Sequence, residues 1–103
     1  MMQNRKKVNS LSSFRIFETD EFQKKSKKIN KKDQDFILKK LTNHIYPQLK
    51  EQPYYGPNIK KLVNIKPETW RFRIGTYRIF YIIDDVKKVV YILSIDKRKN
   101  LYQ

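Results

Sequence analysis

Residues 70–81 of this chain read Trp70-Arg71-Phe72-Arg73-Ile74-Gly75-Thr76-Tyr77-Arg78-Ile79-Phe80-Tyr81. Apolar and basic residues alternate strictly before Gly75, which is typical of a β-strand with two different faces. A glycine at the first central position suits a two-residue type II′ turn, so the stretch predicts a β-hairpin. One face of its first strand then carries Arg71 and Arg73, and the other carries the aromatic and aliphatic side chains.

The predicted turn also fixes which residues face each other across the hairpin. Arg73 pairs with Arg78, and Arg71 pairs with Phe80. Two opposed guanidinium groups weaken a sheet by a few tenths of a kcal/mol to about 1 kcal/mol unless an anion lies between them. Either a guanidinium or a nucleobase can stack on Phe80. We therefore interpret this face as a site for an anionic ligand.

The overall charge agrees with an anionic partner. The chain has 24 Lys and Arg residues against 10 Asp and Glu residues, which gives a formal net charge of +14 and a pI of about 10.0. Such a charge attracts nucleic acid, acidic membranes or acidic proteins. No apolar run reaches the roughly 18 residues of a membrane span, and no segment resembles a signal peptide. We expect a cytoplasmic protein that binds nucleic acid and not a membrane.

Residues that could hold a metal ion are few. The sequence contains no cysteine, which excludes disulfide bonds and thiolate metal sites. Its carboxylates are scattered, and His44 is the single histidine, so it has no second imidazole with which to bind a metal. We expect His44 to be a surface residue of a helix and predict neither a metal nor a cofactor.

The sequence pattern divides the chain into an arm and one domain. Residues 1–13 are polar and basic without a period, which predicts a flexible arm, and residues 14–103 form the domain. The domain begins with a short strand at 14–17. Residues 19–20 supply side-chain oxygens for the N-cap of a first helix, whose lysines 24, 25, 27 and 28 are expected to form a solvated face or to touch RNA phosphates.

A second helix follows with apolar residues at three- and four-residue intervals, from Phe36 onwards. Asn30 or Asp33 is its predicted N-cap, and Pro47 and Pro53 are predicted to end it.

The remaining strands are predicted at 59–63, 70–74, 77–83 and 89–95. The last two carry apolar residues at both odd and even positions, so both of their faces are apolar. This pattern places them in the interior of the sheet. The order of elements predicts an α+β domain: an N-terminal strand, two helices, then a mainly antiparallel sheet of three to four strands with the helices on one face.

Two stretches carry a resemblance to a known family: residues 70–81 and residues 90–98, the latter followed by Tyr102. With the order of elements, they resemble the RelE/ParE toxins of bacterial type II toxin–antitoxin systems over residues 14–102. The resemblance implies the RelE-like fold and, for the RelE branch, ribosome-dependent cleavage of messenger RNA. It also implies three partners, namely a small acidic antitoxin, the ribosome and mRNA.

The resemblance further implies which residues act on RNA. The implied catalytic residues are Arg73, Arg78, Arg98 and Tyr102. The implied RNA-binding residues are Lys60, Lys61, Arg71, Phe80 and Lys97. RelE itself has lysines at the positions of Arg71 and Arg73, and its C-terminal helix beyond the tyrosine has no counterpart in this sequence.

The chemistry that the RelE branch implies is attack of a ribose 2′-hydroxyl on the adjacent phosphate, without a metal. Fixed guanidinium groups stabilise the charge of the pentacovalent transition state, each by about 2.7–4 kcal/mol by analogy with an oxyanion-hole donor. Arginine stays protonated and cannot be the base. Tyr102 is the expected base if nearby cations lower its pKa, and Lys60 or Lys61 is the substitute.

Two other functions fit the sequence. The ParE branch inhibits DNA gyrase by protein binding and needs no cluster of arginines with a tyrosine. A non-catalytic basic module would bind ribosomal RNA or other nucleic acid with a steep salt dependence and form no product.

Overall fold

The computed structural model describes residues 13–97, so the predicted arm lies almost entirely outside the described residues. Within this range the elements are, in chain order, β1 (Arg15–Glu18), α1 (Asp20–Lys27), α2 (Lys31–Lys40), a π-helical segment (Leu41–Ile45), α3 (Tyr46–Glu51), β2 (Ile59–Lys61), β3 (Trp70–Ile74), β4 (Tyr77–Asp84) and β5 (Val89–Lys97). The predicted α+β class is confirmed.

The five strands form one mixed sheet in the order β1-β5-β4-β3-β2. β4 and β5 are interior strands, as the apolar residues on both of their faces predicted. The sequence predicted a first strand but not its place in the sheet. β1 runs parallel to β5, with Arg15 opposite Val89 and Glu18 opposite Ile92, whereas all other neighbouring strands are antiparallel.

Side-chain caps begin the two helical stretches. Thr19 Oγ1 accepts a 3.2 Å hydrogen bond from the backbone N–H of Phe22, and Asn30 Oδ1 accepts one of 2.8 Å from the N–H of Asp33. Both predicted caps are confirmed, with Asn30 rather than Asp33 as the second. The Thr19 hydroxyl also donates to the carbonyl of Ile92 at 2.9 Å. The residue that begins α1 therefore fastens this helix to β5.

The second helical stretch differs from its prediction at Pro47. α2, the π-helical segment and α3 follow one another without a break, pass Pro47 and end at Glu51, before Pro53. The N–H of Tyr46 donates to the carbonyl of Leu41, five residues earlier, which is the π-helical spacing. Pro47 comes next, in the first turn of α3, where a missing N–H removes no regular α-helical hydrogen bond.

The core lies between the helices and one face of the sheet. Its buried residues are Phe14, Phe22, Ile37, Leu41, Ile45, Leu49, Trp70, Phe72, Ile74, Tyr77, Ile79, Tyr81, Val90, Ile92 and Ile95. Phe36 continues the apolar pattern of α2 but is 46% exposed. None of the helices within residues 13–97 has both the length and the apolar character needed to cross a membrane.

The hydroxyl of Tyr81 joins this core to the loop after α3. Tyr81 is fully buried, and it donates a 2.8 Å hydrogen bond to the carbonyl of Pro53. Tyr81→Phe keeps the ring but leaves a buried carbonyl without its donor. We expect the free energy of unfolding to fall by about 1–2 kcal/mol in urea denaturation.

Tyr91→Phe is the matched control, because the Tyr91 hydroxyl makes no hydrogen bond within residues 13–97. Its expected change is within about 0.5 kcal/mol. Equal losses in both variants would contradict a stabilising role of the bond from Tyr81 to Pro53.

Candidate functional site

The sheet face that points away from the helices is basic in its middle. The register places Lys60 of β2 opposite Arg71 of β3, Arg71 opposite Phe80 of β4, and Arg73 opposite Arg78. We call these five residues the arginine face. Both predicted pairs of the hairpin, Arg73 with Arg78 and Arg71 with Phe80, are confirmed.

The turn at Gly75 and Thr76 sets this register. Gly75 has a φ of +59°, and Thr76 is not among the residues with positive φ, which is the pattern of a type II′ turn. Ile74 and Tyr77 pair directly beside it. The two strands therefore leave the turn with their apolar side chains towards the helices and their arginines on the opposite face.

Arg78 is the innermost cation of the arginine face. It belongs to interior strand β4, is half-buried, and lies between Arg73 on one side and Asp96 of β5 on the other. Its guanidinium carbon is 5.9 Å from the centroid of the Phe80 ring. The Arg78 Nε atom is buried and has no hydrogen-bond partner within the described part of the chain. Because buried polar groups are usually paired, this unpaired donor distinguishes Arg78 from an ordinary surface arginine.

Asp96 places a carboxylate beside the arginine face. Its oxygens accept hydrogen bonds from Lys25 Nζ of α1 at 3.2 and 3.5 Å and from Ser94 Oγ at 3.0 Å. A register shift in the pairing of β4 with β5 leaves Leu93 without an opposite residue, because Phe80 pairs with Ser94 and the next residue of β4 pairs with Ile92. This β-bulge turns Ser94 and Asp96 towards the arginine face.

Sequence reasoning missed the roles of Lys25, Ser94 and Asp96. Lys25 was expected only as part of a lysine-rich helix face, and its contact with β5 joins positions 71 residues apart. The bulge shows in the burial of β5 and not in its sequence, which is apolar at every position from 89 to 93. Buried residues of β5 are spaced by two from Val90 to Ile92 and then by three to Ile95.

Two of the predicted RNA-binding lysines are not on the arginine face. Lys61 pairs with Trp70, its Nζ lies 5.9 Å from the Trp70 ring centroid, and it forms an ion pair with Glu68. Lys97 pairs with Tyr77, and its Nζ lies 5.7 Å from that ring centroid. Trp70 and Tyr77 both belong to the core-facing side of the sheet. The structure thus brings together Lys60, Arg71, Arg73, Arg78 and Phe80, but not Lys61 or Lys97.

Two of the predicted catalytic residues, Arg98 and the candidate base Tyr102, lie outside the described residues. Burial raises the pKa of Tyr77 to about 12, and the 2.8 Å hydrogen bond that its hydroxyl donates to Asp33 adds to the rise. Burial also raises the pKa of Tyr81. A general base must lose its proton near neutral pH, so neither of these tyrosines suits that role.

The arginine face is a surface rather than a cleft. Two clefts of about 500 and 700 Å³ lie elsewhere, one between α1 and α2 and one beside β1 and α3, and no residue of the arginine face lines either. Within residues 13–97 there is no group of three or more His, Asp or Glu side chains that could hold a metal ion. An open basic strand surface with one aromatic ring suits an extended polyanion.

Comparisons with known proteins agree on one superfamily. A family model described as the ParE toxin of the type II toxin–antitoxin system parDE matches residues 16–102. No sequence among curated proteins matches the chain.

Several solved structures of RelE toxins or of their toxin–antitoxin complexes are similar to this one. The RelBE2 toxin–antitoxin complex of Mycobacterium tuberculosis contains a chain that is 24% identical, with a TM-score of 0.64 over 84% of this chain and 99% of that one. The archaeal RelE–RelB complex of Pyrococcus horikoshii gives 21% identity and a TM-score of 0.63, over 84% of this chain and 96% of that one. A mutant of the E. coli toxin RelE in the free state is 21% identical and gives a TM-score of 0.62, over 85% of this chain and 86% of that one. At these identities the likeness establishes the fold.

The opposed pair of arginines predicts a measurable repulsion. Arg73 is exposed and faces Arg78, so Arg73→Gln removes one of two like charges directly across the hairpin. We expect the free energy of unfolding at low salt to rise by a few tenths of a kcal/mol to about 1 kcal/mol. The gain should shrink at high salt, because exposed charges are screened.

Arg15→Gln controls for the general loss of one positive charge from a chain of net charge +14. Arg15 is exposed on edge strand β1, away from the arginine face. If Arg73→Gln raised the free energy of unfolding no more than Arg15→Gln does, the opposed arginine pair would not destabilise the fold.

Proposed function

We propose a function for this chain from one premise: it belongs to the ParE toxin family of type II toxin–antitoxin systems, within the RelE/ParE superfamily. The proposed function is that of a ribosome-dependent endoribonuclease, which cleaves mRNA at the arginine face without a metal ion. The observation that carries this proposal is Arg78, a cation with a buried Nε that has no partner in the described part of the protein and lies beside Arg73.

The proposed reaction is an intramolecular transesterification. The 2′-oxygen of a ribose gives up its proton to a base and bonds to the adjacent phosphorus, while the bond from phosphorus to the 5′-oxygen breaks. The departing 5′-oxygen takes up a proton, and a cyclic phosphate and a 5′-hydroxyl remain. In the pentacovalent transition state, negative charge builds up on the phosphate oxygens. Guanidinium groups already fixed around the phosphate stabilise that charge without reorganising.

The arginine face offers the groups that this reaction needs for binding and for charge stabilisation. Arg73 and Arg78 are close enough, as directly opposed residues, to contact one phosphate together. A bound phosphate would also remove their mutual repulsion. Phe80 is half-buried between Arg71 and Ser94, and its ring suits stacking with a nucleobase. These two contacts would fix the scissile phosphate relative to one base.

The base in this proposal is Tyr102, with Arg98 as a third guanidinium at the phosphate. Both assignments come from the family resemblance. Lys60 is the substitute base, because it lies on the arginine face opposite Arg71.

The proposed partners are an antitoxin, the ribosome and mRNA, and the proposed location is the cytoplasm. Three of the similar structures are toxin–antitoxin complexes: RelBE2, an archaeal RelE–RelB and the E. coli RelBE complex. A small acidic antitoxin is the expected counterpart here, since a net charge of +14 speeds association with an acidic segment. Neutralisation would follow if that segment covered the arginine face.

Gyrase inhibition is the second candidate function, because the matching family model is described as a ParE toxin. In that case the arginine face would serve to bind protein, and RNA would stay intact. A basic module that binds RNA without cleaving it is the third candidate.

Primer extension on mRNA separates these functions. We expect brief expression of the wild-type chain to produce cuts at in-frame codon positions, and purified ribosomes to be required for the same cuts in vitro. Arg78→Ala should slow cleavage by roughly 10²–10³-fold, the usual effect of removing a fixed donor to a developing charge. Tyr102→Phe should also abolish the cuts if that phenol is the base.

Arg15→Ala is the matched control, because it removes an exposed arginine from β1 and should leave cleavage unchanged. Growth arrest with intact RNA and blocked gyrase would replace the nuclease proposal with the ParE function. Salt-sensitive RNA binding without product would favour the basic module.

A further inference from the structure

Arg78 and Asp96 are cross-strand neighbours of opposite charge that form no ion pair. They pair directly in the register of β4 with β5, where opposite charges normally attract. The carboxylate of Asp96 instead lies 3.2 Å from Lys25 Nζ and accepts a hydrogen bond from Ser94 Oγ. Arg78 keeps a buried Nε without a partner among the described residues.

We infer that Lys25 is a positioning residue of the arginine face: by holding Asp96, it keeps Arg78 free to bind a phosphate group. This inference rests on the proposed role of the arginine face. Without the ammonium group of Lys25, Asp96 still has a cation directly across the strands, namely Arg78. An ion pair between them would neutralise Arg78 and compete with phosphate. Arg73 would favour that ion pair, because neutralising Arg78 removes the repulsion between the two arginines.

The position of Lys25 is specific within its helix. α1 packs against β5 because Thr19 at its start donates to the carbonyls of Ile92 and Leu93, and this places Lys25 beside Asp96. Lys24 precedes it on the same helix but is exposed and forms no ion pair within residues 13–97. Replacing Lys24 therefore removes one positive charge, as replacing Lys25 does, but it leaves the contact between Lys25 and Asp96 intact.

Titration with inorganic phosphate tests the inference, with the NMR signal of the Arg78 Nε–H group as the readout. We expect Lys25→Met to weaken phosphate binding at Arg78 roughly three- to fivefold more than Lys24→Met does, the size of a partly exposed ion pair acting as competitor. The double variant Lys25→Met with Asp96→Asn should regain the affinity of Lys24→Met. Lys25→Arg should bind phosphate as the wild type does.

Three results would overturn the inference: equal binding by Lys25→Met and Lys24→Met, no recovery in the double variant, or weaker binding by Asp96→Asn alone. The last variant keeps the test valid if Lys25→Met does not fold. Arg78→Ala separates the inference from the proposed function. Phosphate binding by Arg78→Ala is measured by calorimetry, because this variant lacks the Nε–H group. Unchanged binding would remove the arginine face as a phosphate site, whereas binding that needs Arg78 but not Lys25 would reject only the role of Lys25.

Discussion

The two-residue turn at Gly75 and Thr76 determines which side chains of β3 and β4 meet, and both faces of the sheet depend on it. Side chains alternate along a strand, so a shift of one residue would move the arginines into the core and the aromatic residues into solvent. Burial of Phe72 and Tyr81 opposes that shift strongly, because each removes a large aromatic surface from water. The core thereby holds Arg73 and Arg78 opposite each other despite their repulsion.

The bulge in β5 is a second constraint, and it acts on charge. By leaving Leu93 without an opposite residue, it sends Ile95 into the core and Asp96 to the arginine face. The basic surface thus contains a carboxylate next to Arg78, and α1 supplies the lysine that holds it. Core packing and the electrostatics of the arginine face are coupled through this one extra residue.

Local features of the sequence predicted most of this architecture. The hairpin register followed from a glycine and a strict alternation, and both helix caps followed from side chains that bond within three residues. Most of the features that the sequence did not indicate involve residues distant in sequence. Nothing near Arg15 indicates that β1 joins β5, and the faces of Lys61 and Lys97 depend on the pairing of whole strands. Pro47 was expected to end a helix because α-helical geometry was assumed where the chain widens into a π-helical turn.

The parallel pairing of β1 with β5 has a consequence for how the protein is made. Hydrogen bonds such as the one from Thr19 to Ile92 join residues 73 positions apart, so β1 has no sheet partner until β5 exists. Contacts of this kind form late, because a long loop must close before they contribute any energy. During synthesis, β5 leaves the ribosomal tunnel after the other four strands of this sheet. The sheet that carries the arginine face is therefore completed only once β5 has emerged, and until then β1 has no neighbouring strand and β4 has β3 alone.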